Sequence, residues 1–114
     1  MPFDEYFEKW FKLYKSNLTK TTKLHYDYTF RAIKEYFGGK PLQEIKRHDY
    51  QMFLNKFGSD KAKENVEKVN THIRSCVQDA IEEQIIQHDF TRKAVLTWTN
   101  QSCKEARRKT FKFF

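Results

Sequence analysis

Three glycines and two prolines are the only strong backbone punctuation in 114 residues, and two of the glycines are adjacent. A chain with so few stops is expected to form long helices. The apolar residues agree. Phe3, Tyr6, Phe7, Trp10, Phe11 and Tyr14 recur at intervals of three and four, laying a broad aromatic stripe along a first helix from about residue 3 to residue 16. That stripe must face a core or a partner. Beyond a polar stretch, Thr21 or Thr22 can accept a hydrogen bond from unpaired backbone N–H groups and cap a second helix carrying Tyr26, Phe30, Ile33 and Phe37. Gly38 suits the left-handed conformation that closes a helix, and Pro41 prevents its continuation. Leu42 and Ile45 anchor the connection. A third helix over about 47–57 places Tyr50, Phe53, Leu54 and Phe57 on one face and ends at Gly58. The longest periodic run, from Lys61 to about Gln87, sets Val66, Val69, Ile73, Val77, Ala80 and Ile81 on one side. A short helical turn is expected over 90–95, and only 95–99 has strand-like composition, too short to build a sheet.

A chain of this length makes one domain with one modest core, and its nineteen aromatic residues compensate for few aliphatic ones. No stretch approaches the roughly 18 apolar residues of a membrane span, and the N-terminus lacks the charged-then-apolar pattern of a secretory signal. A soluble, cytoplasmic protein is expected. Cys76 and Cys103 are too few for a disulfide framework and read as reduced thiols.

The net charge of +7 points to an anionic partner, but its distribution matters more than its sum. Residues 1–90 hold 15 Lys and Arg against 14 Asp and Glu, whereas residues 91–114 hold 7 against 1. Most of the excess is therefore in the tail. Within the first 90 residues, 20–40 carries 5 against 2, 61–75 carries 4 against 2, and 76–90 carries 0 against 4. Two basic patches stand on a balanced body.

Enzyme signatures are missing: there is no Gly-rich phosphate loop, no G-x-S-x-G and no H-E-x-x-H. His72 and Cys76 are four apart on the fourth helix, a spacing that could seat two ligands on one metal, but no second pair accompanies them. Cys76 is read as a small core residue and His72 as a surface one, so no metal or other cofactor is expected. Glu82, Glu83 and Asp89 form an acidic end that reads as solvated surface. Lys20, Thr21, Thr22 and Lys23 gather cations, hydroxyls and N–H donors at a helix start, where the macrodipole favours phosphate. On the fourth helix, the face away from the apolar residues displays Lys61, Lys68, Thr71, His72 and Ser75, with Lys63, Asn65 and Arg74 nearby. Cations for phosphate and short polar groups for base edges are what a groove-facing helix needs.

These pieces stand in a known order. Lys20-Thr-Thr-x-x-x-Tyr26, Tyr36-Phe-Gly38, Pro41-Leu42-x-x-Ile45 and Tyr50-Gln-x-Phe-Leu54 resemble the core-binding, SAM-like domain of tyrosine recombinases of the phage and integrative-element integrase type. The resemblance continues through the long helix to Ala80 and into Thr110–Phe114, a run like the one just before the catalytic domain. It implies an all-α compact bundle of four to five helices over residues 1–96, followed by a basic linker over 97–114. The function implied is gripping duplex DNA beside a crossover site for DNA integration and recombination. DNA contact is then expected regionally at Lys20, Thr21, Thr22, Lys23, Lys61, Lys63, Lys68, His72 and Arg74.

Two departures stand out. Lys46 occupies a position where the family often has Thr, and His88-Asp89 replaces the Asn-Pro that frequently closes the fourth helix, which leaves the exit of the chain open. The family's nucleophilic Tyr, paired Arg and His-x-x-Arg belong to a downstream domain; here no His is followed three residues later by Arg, and all six tyrosines lie within residues 6–50. The chain is thus expected to be non-catalytic, with the catalytic domain of its parent and other recombinase protomers as partners besides DNA. The alternative is a helical protein–protein interaction module that docks through its aromatic first helix or Phe-rich tail.

Overall fold

In the computed structural model, which describes residues 1–15 and 17–99, helical spacing becomes four α-helices: α1 (Phe3–Tyr14), α2 (Lys20–Phe37), α3 (Arg47–Gly58) and α4 (Lys63–Glu82). A single 3-10 turn, Leu42–Glu44, joins α2 to α3. The described residues contain no strand, only an isolated bridge between Pro2 and Pro41. Phe3 N–H donates to the Lys40 carbonyl and Leu42 N–H to that of Met1, so the start of the chain is pinned to the α2–α3 connection.

The aromatic stripe of α1 is spent on the core. Phe3, Phe7 and Trp10 are buried against Phe37, Phe53, Phe90 and the aliphatic face of α4, with rings such as Phe3 and Phe90 meeting edge to face at 5.6 Å. The face on which a protein-docking α1 would have relied is therefore inside. The stripe outruns the core only at its end, where Tyr14 is exposed. Trp10 donates its indole N–H to Asp79, fixing α1 to α4.

Several local expectations are corrected. Thr19 caps α2, not Thr21 or Thr22: its Oγ1 accepts from the Thr22 amide at 3.3 Å and lies 3.0 Å from the Thr22 hydroxyl. At the other end Gly39, with φ of 81°, takes the left-handed conformation, and Gly38 does not. Gly38 is required for space, since a Cβ there would sit 2.7 Å from the Lys34 carbonyl oxygen. α4 stops at Glu82, about a turn short of its apolar pattern, because Gln84 turns left-handed and Ile85 N–H closes back on the Ala80 carbonyl. Residues 90–93 form a turn and no helix.

The exit path follows from that closure. Residues 94–99 run beside α3 without helix or strand, held to it by side chains. Gln51 donates to the Val95 carbonyl at 2.8 Å and accepts from the Val95 N–H at 2.9 Å. Thr97 lies so close to Gly58 that a Cβ at Gly58 would fall 1.9 Å from the Thr97 carbonyl oxygen, and Thr99 N–H donates to the Lys61 carbonyl. Residues 97–99 of the expected linker thus lie on the bundle; Cys103, the basic cluster and the terminal phenylalanines lie outside the described residues. No helix among the described residues is long and apolar enough to cross a membrane.

Candidate nucleic-acid interface

α2 and α4 pack against each other, and their seam is built around one imidazole. The His72 ring stacks on Tyr26 at 3.8 Å between centroids and 15° between planes. The Thr29 hydroxyl lies 2.8 Å from His72 Nδ1 and 3.2 Å from the His25 carbonyl. A carbonyl only accepts, so both contacts are satisfied when Thr29 donates to His25 and receives the Nδ1 proton of His72. His72 is consequently a half-buried joint between helices, where an open surface position had been expected.

The surroundings of that joint are positive. Burial above all, and then the charges of His25, Lys68 and Lys15, push the His72 pKa down from 6.5 to about 4. The imidazole is neutral at physiological pH and is ringed by groups from α4, from α2 and from the residue that ends α1. Lys15 and His25 were not among the residues picked from the sequence. His25 could have been found, since it lies four residues before Thr29 on the same face of α2; Lys15 becomes a neighbour only when the hairpin between α1 and α2 folds back.

The start of α2 adds to this field. Lys20, Thr21 and Lys23 are exposed, and Thr22 is half-buried under the Thr19 cap. The first turns of α1, α3 and α4 carry the acids expected against a helix dipole, Asp4 and Glu5, Asp49, and Glu64, whereas that of α2 carries none. Two lysines at the positive end of a dipole oppose its stability unless an anion comes between them.

The remaining assigned residues do not all join one patch. Lys68 is exposed beside His72. Lys61 is half-buried, bonded to Asp60 at 2.7 Å and lying over the Phe57 ring at 5.3 Å. Lys63 stands exposed at the start of α4 with its ammonium 5.3 Å from the Trp98 ring centre. Arg74 lies elsewhere. Two residues beyond His72 on a helix means about 200° around its axis, and its charge acts on the buried Tyr50 hydroxyl, which itself donates to Asn70 at 2.6 Å.

Metal chemistry finds no support in the pair His72 and Cys76. His72 Nδ1 is engaged by Thr29, and Cys76 is fully buried, its thiol pKa pushed up by burial and the nearby Asp79 carboxylate. No group of three or more His, Cys, Asp or Glu side chains among the described residues could hold a metal ion. Of the acidic end, Glu82 and Glu83 are exposed as expected. Asp89 is not idle surface: it accepts from the Thr91 amide at 2.8 Å and from Gln78 at 2.9 Å, shaping the turn after α4.

Residues 2–58 match the family model of the phage integrase N-terminal SAM-like domain, and these span α1, α2 and α3 with their connections. The chain belongs to that family. The phage integrase likeness extends to α4 in solved structures. The N-terminal domain of the prophage pi2 protein 01, an integrase from Lactococcus lactis, superposes with a TM-score of 0.81 at 36% identity, over 85% of this chain and 93% of that one. A fragment of the phage integrase SSP1947 from Staphylococcus saprophyticus gives 0.80 at 32% identity, over 96% and 99%. No curated protein sequence matches the chain. The fold is therefore the SAM-like bundle of the integrase N-terminal domain, a non-catalytic domain that lacks the region of the catalytic tyrosine.

Proposed function

We propose that this integrase domain grips duplex DNA beside the crossover site of a tyrosine recombinase, while the catalytic domain of the same protein exchanges strands. The observation that carries the reading is the α2 start, which holds exposed Lys20 and Lys23 and no acid, beside a seam bordered by exposed Lys68 and by Lys15, whose ammonium lies 5.5 Å from the Trp10 ring that packs on Tyr26. Holding Lys20 and Lys23 at the positive end of the α2 dipole costs electrostatic energy that phosphate binding recovers. The seam carries the cations that contact phosphate, and Thr21, Thr71 and Ser75 supply exposed hydroxyls of the kind that reach base edges. Arg74 and Lys61 act at the margins, and His72 supports the seam from inside. Within a bacterial or phage-infected cell the domain works on DNA in the cytoplasm, in an assembly with other protomers.

A half-clamp held mainly by phosphate contacts binds at about micromolar affinity or weaker, with log K falling linearly against log salt. Fluorescence anisotropy with a duplex of arbitrary sequence measures this directly. Lys68→Ala is expected to reduce the salt slope by about 1 and to weaken binding equally for all sequences. Glu82→Gln, at the acidic end, leaves both unchanged. Absence of duplex binding even at low salt would overturn the reading.

A further inference from the structure

The outward face of α2 contains a feature that phosphate binding does not use. Leu24 is 61% exposed, and Tyr28, one turn further on, is 37% exposed with its ring packed on Phe57 at 5.9 Å. Thr21 precedes them on the same face at i−3, and Lys20, Lys23 and Arg31 flank them. Tyr28 also borders a groove of about 500 Å³ between α2 and α3, where Arg31, Lys56 and Lys61 stand against Glu35 and Asp60. Asp60 is already paired with Lys61, and the Lys61 charge reaches the Tyr28 hydroxyl. The stripe is thus one leucine and the edge of one tyrosine set among cations. Two side chains fall far short of the ~800 Å² per partner that a stable protein interface buries, and the surrounding charge favours an anion. A small apolar group carried by a polyanion fits both conditions, and in the major groove of duplex DNA that group is the 5-methyl of thymine.

The geometry points to Leu24 as a specificity-determining residue that packs on a thymine methyl in the major groove, with Tyr28 buttressing it from the groove side. This rests on the DNA-gripping reading above and adds a sequence preference to it. Lys20 and Lys23, both exposed, lie to one side of Leu24 on the helix, about 40° and 100° round its axis; holding the DNA backbone there, they carry Leu24 toward the base edges by contacts that are themselves blind to sequence.

The test uses the 114-residue chain and duplexes selected by it from a randomised pool. The best duplex is remade with deoxyuridine at each thymine in turn, which removes only the methyl, and binding is followed by anisotropy. At one or two positions the exchange is expected to weaken the wild type about fourfold, the worth of one buried methyl group. In Leu24→Ala the same exchange has no effect, while the salt slope stays that of the wild type. Leu24→Met, which keeps apolar reach, retains part of the discrimination. The proposal is overturned if no thymine responds to loss of its methyl, if the selected duplexes carry no common thymine, or if Leu24→Ala responds as fully as the wild type. Salt-dependent binding that persists in those cases leaves the DNA-gripping reading standing; absence of duplex binding at any salt takes down both.

Discussion

Gln84 sits at φ 61°, a left-handed backbone that costs an L-residue with a side chain more than it costs glycine. Gln84→Gly is therefore expected to stabilise the domain by about 1 kcal/mol in urea denaturation, an increase in midpoint without a change in slope. Gly58 gives the opposite sign. A Cβ there meets the Thr97 carbonyl, so Gly58→Ala is expected to cost roughly 1–3 kcal/mol and to free the 94–99 segment, measured as faster tryptic cleavage after the exposed Arg92 and Lys93. His72 contributes a pH dependence. Its folded pKa of about 4 lies below the ordinary 6.5, so the unfolded chain binds the proton more readily; the contribution is fully present above pH 6.5 and is lost as pH falls toward 4. Relative to His72→Gln, the wild type should lose about 1–2 kcal/mol across that window, after discounting for the ring's partial exposure.

At the scale of elements, α3 shows how a departure from the family pattern is absorbed. Lys46 cannot cap with an oxygen, yet α3 starts at Arg47 as expected, because the Asp49 carboxylate accepts the Lys46 N–H at 3.0 Å. That hydrogen bond, with the ammonium of Lys40 beside it, holds the Asp49 carboxyl below its ordinary pKa. Stability from this cap is present above the ordinary carboxylate range and lost as pH falls through the lowered value. Asp49→Ala is expected to cost about 1 kcal/mol at neutral pH and much less in acid, by thermal unfolding. The four helices were legible because each buries a face spaced at three and four residues, a pattern written in the side chains themselves. Their ends were less so. Three threonines within four positions compete to cap α2, and starting at Lys20 lets Thr19 engage both the amide and the hydroxyl of Thr22. No glycine marks the end of α4, and a glutamine in the left-handed region leaves no local trace. The basic stretches of α2 and α4 were equally legible, but the seam between them was not: His72 is drawn inward by Tyr26 and Thr29, and Lys15 arrives from another helix, which are tertiary facts.

Taken as a whole, the molecule separates its charges by end and by face. Asp79, Glu82 and Glu83 lie toward the end of α4, with Asp79 tied to α1 through Trp10, while Lys15, His25 and Lys68 converge farther up the α2–α4 seam. Thr99, the last described residue, donates its N–H to the Lys61 carbonyl beside the start of α4. Gln51 clamps this segment at Val95, and Trp98 lies under the Lys63 ammonium, so residues 95–99 share the side of the bundle that holds Lys61 and Lys63. The central claim, that this seam is the surface DNA meets, is tested most directly by amide chemical shifts during titration with a short duplex at low salt. The expected result is a set of shifts concentrated at residue 15, residues 20–25 and residues 61–72, reversed by added salt. Shifts gathered instead at residues 79–89, or no shifts at saturating duplex, would contradict it.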